Sequence, residues 1–271
     1  MEMDTYILAD TNTELFLRKD KPDDPKATVI IVHGLGEHLQ RYNHFVSELA
    51  NNNFIVYRYD ARGHGKSTGK RGDLKSFKDY LNDLDTVINL AKKEHPNLKL
   101  FLFGHSMGGL IATSYASTYV DKIDYLILSG AANKTPDNAR MLKLLPYRLM
   151  SKIMYKNDLS EGLTSSKEVN EAYRNDPLVL KKISLRLLGN TFIKGVKYVN
   201  DNIGNINVGT LIMHGEEDPI VDKSAAYFTY ENLTLKDKEL KIYDDLKHEI
   251  LNENEKGKVI KDIIKWIKVR L

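Results

Sequence analysis

The stretch Leu98-Lys99-Leu100-Phe101-Leu102-Phe103-Gly104-His105-Ser106-Met107-Gly108-Gly109 decides the fold. The apolar run from Leu98 to Phe103 has the length of a buried strand, and the small residues from Met107 to Thr118 read as a helix. Between them lies Gly-x-Ser-x-Gly, the pattern of a sharp strand-to-helix turn that presents a serine. So tight a turn forces the serine into an unfavourable backbone conformation, and glycines on both sides let neighbouring backbone pass without a Cβ clash. Ser106 Oγ would then stand exposed above a sheet. The pentapeptide alone arises by chance in roughly one chain in ten of this length, so its weight comes from its surroundings.

Working outward, short β-rich apolar runs alternate with helical patterns, which predicts an α/β fold: a mostly parallel sheet with helices on both faces. Strands are expected at Thr28 to Val32, Phe54 to Tyr59, Leu98 to Phe103, Tyr125 to Ser129, Thr210 to His214 and Leu240 to Tyr243. Thr5 to Ala9 and Glu14 to Arg18, joined by Asp10-Thr11-Asn12, read as an edge hairpin. Helices are expected at Tyr42 to Asn51, Phe77 to Lys93, Met107 to Thr118, Ala225 to Tyr230 and Lys256 to Val269. In the last of these, Ile260, Ile263, Ile264 and Ile267 share one face and leave Lys258, Lys261 and Lys265 to water. Between Ala131 and Ile206 the strand rhythm stops, and about three helical segments intervene. That is too long for a loop in a compact domain. The expected organisation is a core of residues 1–131 and 207–271 with a helical cap, 132–206, inserted over the sheet's C-terminal edge.

Composition excludes several chemistries. The 271 residues suffice for one large domain, and 40 basic against 37 acidic residues leave +3, too even for a nucleic-acid binder. The absence of cysteine removes disulfides, thiolate nucleophiles and Cys-ligated metals. The acidic start Met1-Glu2-Met3-Asp4 does not read as a targeting segment, and no apolar run nears the ~18 residues that span a bilayer, so a cytoplasmic protein is expected. Nothing in the sequence fixes an oligomeric state.

A serine hydroxyl is a weak nucleophile at neutral pH and needs a base, which in turn needs an acid to orient it. In this topology the chain order is Ser, then Asp or Glu, then His. Asp218 follows the strand Leu211-Ile212-Met213 and the turn His214-Gly215, and precedes Pro219, which would fix its turn. Glu216, Glu217, Asp222, Asp244 and Asp245 lie nearby but read as solvated surface. His248 follows the last strand in a loop leading to the C-terminal helix. Of the other seven histidines, His38, His44 and His64 precede the serine, His95 ends a helix, and His33 and His214 end strands in structural positions. His105 adjoins the serine but is expected to point to the opposite side of the turn. For the developing oxyanion, one backbone N–H should come from Met107 and the other from Leu35, in the glycine-bearing loop His33-Gly34-Leu35-Gly36-Glu37-His38. This chemistry calls for no metal and no cofactor.

Together, His33 to His38 with Arg41-Tyr42, Asp60-Ala61-Arg62-Gly63-His64-Gly65-Lys66-Ser67, Gly104 to Gly109, Asn175-Asp176-Pro177-Leu178 and His214 to Asp218 resemble the monoglyceride lipase and lysophospholipase branch of the serine α/β-hydrolases. The resemblance runs from about Val29 to His248. It implies the α/β-hydrolase fold and an ester hydrolase working through Ser106, Asp218 and His248, with Leu35 and Met107 as oxyanion donors. The implied substrate is a small lipid ester, foremost a monoacylglycerol. Lysophospholipase or short-ester carboxylesterase activity, acyl transfer to another alcohol, and a silent lipid-binding protein are the alternatives. Epoxide hydrolase and haloalkane dehalogenase chemistry are disfavoured, since those relatives place Asp at the elbow. Asp60, Arg62 and His64 are expected to brace loops, and Glu37 to order the oxyanion loop.

The cap has a character of its own. From Lys134 to Lys156, six basic residues stand against the single acid Asp137, a net +5 that exceeds the whole chain's charge. Interleaved are Met141, Leu142, Leu144, Leu145, Tyr147, Leu149, Met150, Ile153 and Met154, too many for a solvated helix. One side would roof the pocket and the other would meet an anionic lipid surface, a peripheral membrane contact. The competing reading is a covered helix with solubilising charges, split in two at Pro146.

Overall fold

The computed structural model describes Glu2–Leu271. Eight strands form one sheet: β1 (Glu2–Asp10), β2 (Thr13–Asp20), β3 (Ala27–Val32), β4 (Phe54–Tyr59), β5 (Leu100–His105), β6 (Tyr125–Ser129), β9 (Gly209–Gly215) and β10 (Lys238–Tyr243). Their order is β1-β2-β4-β3-β5-β6-β9-β10. β1 and β2 form the antiparallel edge hairpin, β2 pairs antiparallel with β4, and from β4 to β10 every pairing is parallel. This is the α/β-hydrolase fold.

The central strands read as unbroken apolar runs because both of their faces are covered. On β3, Val29 and Ile31 enter the core beneath α1 (Asn43–Asn51) and α8 (Lys256–Lys268). Ile30 and Val32 enter the opposite core, beneath α2 (Phe77–Glu94) and α3 (Met107–Thr118). β5 repeats the division, with Phe101 and Phe103 on one side and Leu100 and Leu102 on the other. α2 is opened by Ser76, whose hydroxyl accepts from Lys78 N at 3.3 Å while Asp79 Oδ2 accepts from Ser76 N at 3.2 Å. α8 buries Ile260, Ile263, Ile264 and Ile267, and Trp266 sets its ring edge-on to Phe101. Each fully buried Ile there contributes about 1.5–3 kcal/mol.

β5 starts two residues later than its apolar run. Leu98 N turns back to His95 O at 3.3 Å, so the ladder cannot begin before Leu100. Its far end reaches His105, since Gly104 and His105 pair with Leu128 and Ser129. The chain then leaves the sheet after β6 and rejoins it at β9. In between lie β7 (Met154–Lys156), α4 (Lys167–Asn175), β8 (Lys182–Ser184), α5 (Leu185–Gly189) and α6 (Val196–Asn202). A π-helical turn at Asn190–Gly195 joins α5 to α6 in one continuous run, and β7 pairs antiparallel with β8, an element the helical spacing of this segment does not suggest. The basic stretch is not an amphipathic helix either. It forms 3₁₀ turns at Asp137–Leu144 and Tyr147–Leu149, because Pro146 supplies no N–H and clashes with a preceding helical turn.

What fixes the serine is backbone packed on backbone. A Cβ on Gly108 would sit 2.1 Å from Val32 O, and one on Gly104 would sit 2.4 Å from Gly108 O. A Gly108→Ala variant is therefore expected to lose both folded stability and activity. Gly257→Ala, whose Cβ would meet nothing within 4 Å, is expected to leave the melting temperature unchanged or raise it, helix propensity contributing up to about 1 kcal/mol. Thermal melts of the two variants check the contrast, and equal melting temperatures would contradict it.

Candidate active site

Ser106 has φ 54° and ψ −117°, a conformation costing a non-glycine residue about 1–3 kcal/mol. The turn is held by Ser106 N to Ser129 O at 3.0 Å, and by Ala132 N and Leu110 N, which both donate to Ser106 O at 3.1 Å. Three chain segments converge on the side chain. His248 Nε2 lies 2.9 Å from Ser106 Oγ, and its Nδ1 lies 2.7 Å from Asp218 Oδ2. Ser106 and His248 are buried, and the Asp218 side chain is wholly so.

With Nδ1–H donating to the carboxylate, Nε2 keeps its lone pair for the serine proton. Burial alone would push Asp218 up, but the charge of His248 and hydrogen bonds from His214 and His248 hold it well below the usual carboxylate range. Its other oxygen accepts from Ile220 N and Val221 N, both at 2.9 Å. Burial likewise pushes His248 down, yet the Asp218 charge and hydrogen bond, with Glu249 and Glu37 behind them, leave it above its ordinary value.

The glycine loop after β3 is equally determined. His33 Nε2 accepts from Ala61 N at 2.9 Å, which leaves Nδ1 protonated to donate to Gly34 O at 2.7 Å. A trans peptide sets its C=O and N–H on opposite sides, so the Leu35 N–H points away from the His33 ring. Among the described residues no acceptor takes it. Glu37 pins the same loop: Oε1 accepts from Gly34 N at 2.6 Å and from Tyr42 OH at 2.7 Å. Met107 N begins α3, where the first N–H groups of a helix have no internal partner. Leu35 and Ser106 face one cavity of about 180 Å³. Leu142, Leu185, Leu188 and Phe192 wall it from the insertion, Ile220 and Val221 from the Asp218 loop, and Lys156, Asn157 and Asp158 supply polar groups.

The sequence profile of the Hydrolase_4 family, described as serine aminopeptidase, S33, matches residues 23–255. The monoacylglycerol lipase of Mycolicibacterium smegmatis is 29% identical over 251 residues, covering 91% of this chain and 90% of that protein. The Homo sapiens monoglyceride lipase is 29% identical over 264 residues, 94% of this chain and 87% of that one. The crystal structure of the Paleococcus ferrophilus monoacylglycerol lipase matches with a TM-score of 0.81 at 31% identity, covering 92% of this chain and 97% of that one. The chain belongs to the monoglyceride lipase family of α/β-hydrolases.

In this family member, several supporting groups carry more than their sequence positions suggested. His105 does not point away from the site. Its Nδ1 is 3.0 Å from Ser129 O and its ring lies 4.8 Å from that of His248. Burial, and then the charge of His248, push it down to about 4, so it stands neutral against a developing imidazolium. His214 donates to Val221 O at 2.8 Å and also lies 3.0 Å from Asp218 Oδ2. Its place four residues before the acid was the available signal. Arg41 bridges Glu37 at 3.1 Å and Glu249 at 2.5 Å, so one guanidinium joins the oxyanion loop to the residue following His248. The bracing expected of Asp60, Arg62 and His64 is present. Asp60 accepts from Leu39 N and Lys66 N, Arg62 pairs with Asp83, and the buried His64 ring lies tilted against that of His33, 5.4 Å away.

A base must be neutral to accept a proton and His248 is raised, so with His248 assigned as the base, kcat/KM for an uncharged ester should fall as pH drops through an inflection above 6.5. Asp218→Asn removes both the charge that raises His248 and the correct tautomer. It should lower kcat by about 10⁴-fold, and an inflection below 6.5 in the parent enzyme would contradict the assignment.

Proposed function

We propose that this ester hydrolase cleaves small lipid carboxylic esters, foremost monoacylglycerols, to fatty acid and glycerol through an acyl-enzyme on Ser106. The observation that carries the reading is a serine held 2.9 Å from a buried, carboxylate-paired imidazole at the floor of an apolar cavity.

Ser106 Oγ attacks the ester carbonyl as its proton passes to His248 Nε2, and Asp218 stabilises the resulting imidazolium. The tetrahedral oxygen takes the N–H groups of Leu35 and Met107, fixed in advance by Glu37 and by the start of α3. His248 returns the proton to the leaving alcohol. Water then gives a proton to the same nitrogen as its oxygen attacks the acyl carbonyl, and His248 passes that proton to Ser106 Oγ as the acyl–Oγ bond breaks, releasing the fatty acid and restoring the serine. The insertion caps the site, its leucines and Phe192 accepting the acyl chain, while Lys156, Asn157 and Asp158 are placed to meet a polar alcohol. An aminopeptidase would need a carboxylate free to take a charged amine, and the cavity's one acid among the described residues, Asp158, is engaged with Lys156 at 3.1 Å. The names of the relatives support the same substrate class.

A fluorophosphonate probe is expected to label the protein stoichiometrically at Ser106 and not to label Ser106→Ala. Product analysis across monoacylglycerols, lysophospholipids and short p-nitrophenyl esters should rank monoacylglycerols first in kcat/KM. A lysophospholipid preference would reassign the substrate, and failure to label would argue for a silent binding protein.

A further inference from the structure

The loop that carries His248 runs from Asp244 to Glu255 with no helix or strand of its own, yet the imidazole it bears must be held to a fraction of an ångström. Asp218 and Ser106 hold the ring. The backbone needs anchors of its own, because buried N–H groups require partners.

The peptide N–H groups on either side of His248 both lead to the insertion, one directly and one through a side chain. Glu249 N donates to Leu163 O at 2.8 Å. Lys247 N donates to Glu253 Oε1 at 3.0 Å, and the same carboxylate takes Ser165 N, at 3.0 Å on Oε1 and 2.9 Å on Oε2. Glu253 is buried, and among the described residues no cation lies within ion-pair distance of it. A charge buried without a counter-ion is costly unless hydrogen bonds compensate it. Here the donors explain the choice, because both oxygens meet Ser165 N, so a glutamine in either orientation would set its NH₂ against that N–H.

The segment gripped in this way continues into a helix. Ser166 Oγ accepts from Val169 N at 3.4 Å and opens α4, whose far end is capped by Asp176. Asp176 lies 2.8 Å from His38 in the oxyanion loop. Along the helix, Tyr173 sets its ring 4.8 Å from the Arg41 guanidinium, which itself joins Glu37 to Glu249. One helix thus spans the base loop and the oxyanion loop.

We propose that Glu253 is a positioning residue for the base: by taking Lys247 N and Ser165 N together it locks α4 onto the His248 loop, and α4 sets the spacing between that loop and the oxyanion donors. The insertion is in this respect part of the catalytic scaffold as well as a roof. The proposal rests on His248 being the base, and the experiment separates the two.

Glu253→Gln, Glu253→Ala and His248→Ala are compared with the parent chain on a soluble short ester, active sites being titrated with a fluorophosphonate probe. His248→Ala should abolish turnover; if it does not, the assignment of the base fails and the proposal with it. Glu253→Gln still accepts from Lys247 N but repels Ser165 N, so kcat per titrated site should fall about tenfold with KM within about twofold, and Glu253→Ala, which frees both donors, should cost about 100-fold, as for a base displaced by about 1 Å. A purely structural role would lower the number of titrated sites and leave kcat per site unchanged, and a role of charge alone would make the two Glu253 variants equal. Either outcome overturns the proposal while His248 stands as the base. In the parent chain the Lys247 and Ser165 amides should exchange with solvent at least about 100-fold more slowly than in a free peptide. Rapid exchange of either amide also overturns the proposal, and that measurement requires no variant to fold.

Discussion

The site depends on one close approach, that of the first turn of α3 to the end of β3. Gly108 lies so near the Val32 carbonyl that no side chain fits between them, and this contact holds Ser106 in a conformation the residue would otherwise avoid. The strain is sustained by the sheet. β5 is paired on both sides, to β3 and β6, and Ser106 N is itself tied to Ser129 O on β6. Relaxing the serine would mean breaking buried backbone hydrogen bonds, each donor or acceptor left unsatisfied in the interior costing about 1–3 kcal/mol. The hydroxyl is consequently presented from a rigid floor, and orientation is settled before substrate arrives.

The loop before His248 has a similar lock, since a Cβ on Gly215 would sit 2.2 Å from Lys247 O, whereas the loop after β3 is held chiefly by buried polar groups. Glu37 is a single carboxylate with three duties: it holds the Gly34 N–H, accepts from Tyr42 and balances Arg41, which reaches Glu249 beside the base. Burial would raise the Glu37 carboxyl, but the Arg41 charge and the hydrogen bond from Tyr42 hold it down, so it stays charged. Glu249, which shares the same guanidinium, is instead pushed up by burial. Two acids on one cation make the oxyanion loop and the base loop a single electrostatic unit. Moving either leaves a charge unpaired in the interior, which is strongly destabilising.

How much of this could be read from the residues follows from which forces are local. The elbow was legible because its geometry is imposed by glycines within six positions, and β3 and β5 because strands covered on both faces must be apolar throughout. That Asp218 and His248 would lie beside Ser106 was legible from topology, since the order of strands determines where their loops emerge. What was not legible is contact between distant segments. The His105 ring beside His248 is set by the pairing of β5 with β6, and Arg41 meets Glu249 across more than 200 positions. The stretch from Asp137 to Leu149 misleads for another reason. Its apolar spacing suits a helix, yet Pro146 interrupts it and leaves 3₁₀ turns with Leu142 inward and Leu144 and Leu149 outward.

The insertion itself divides by how it is tied. Its later half is fastened to both loops of the site: His38 to Asp176 at 2.8 Å, Leu180 N to Gly36 O at 2.8 Å, Glu249 N to Leu163 O at 2.8 Å, and Ser165 N to Glu253 at 2.9 Å. The motif Asn175-Asp176-Pro177-Leu178 thus acts as a clasp between the insertion and the oxyanion loop. The earlier half makes few such bonds. Beyond Ala132 and Asn133, which bond to the core, the described backbone links from Asp137 to Met154 run within the insertion, as from Leu185 N to Ile153 O, or come from a lysine, as Lys70 on Ser151 O. Local stability follows the density of buried contacts, so the two halves of the cavity wall differ in stiffness. Ile183 and Leu185 belong to the part that shares the rigidity of the catalytic loops, while Met141, Leu142 and Tyr155 belong to the part that does not. Reaction geometry and access are therefore carried by different segments of the chain. Sequence change in the Met141–Tyr155 wall can alter which ester enters without disturbing the distance between Ser106 and His248.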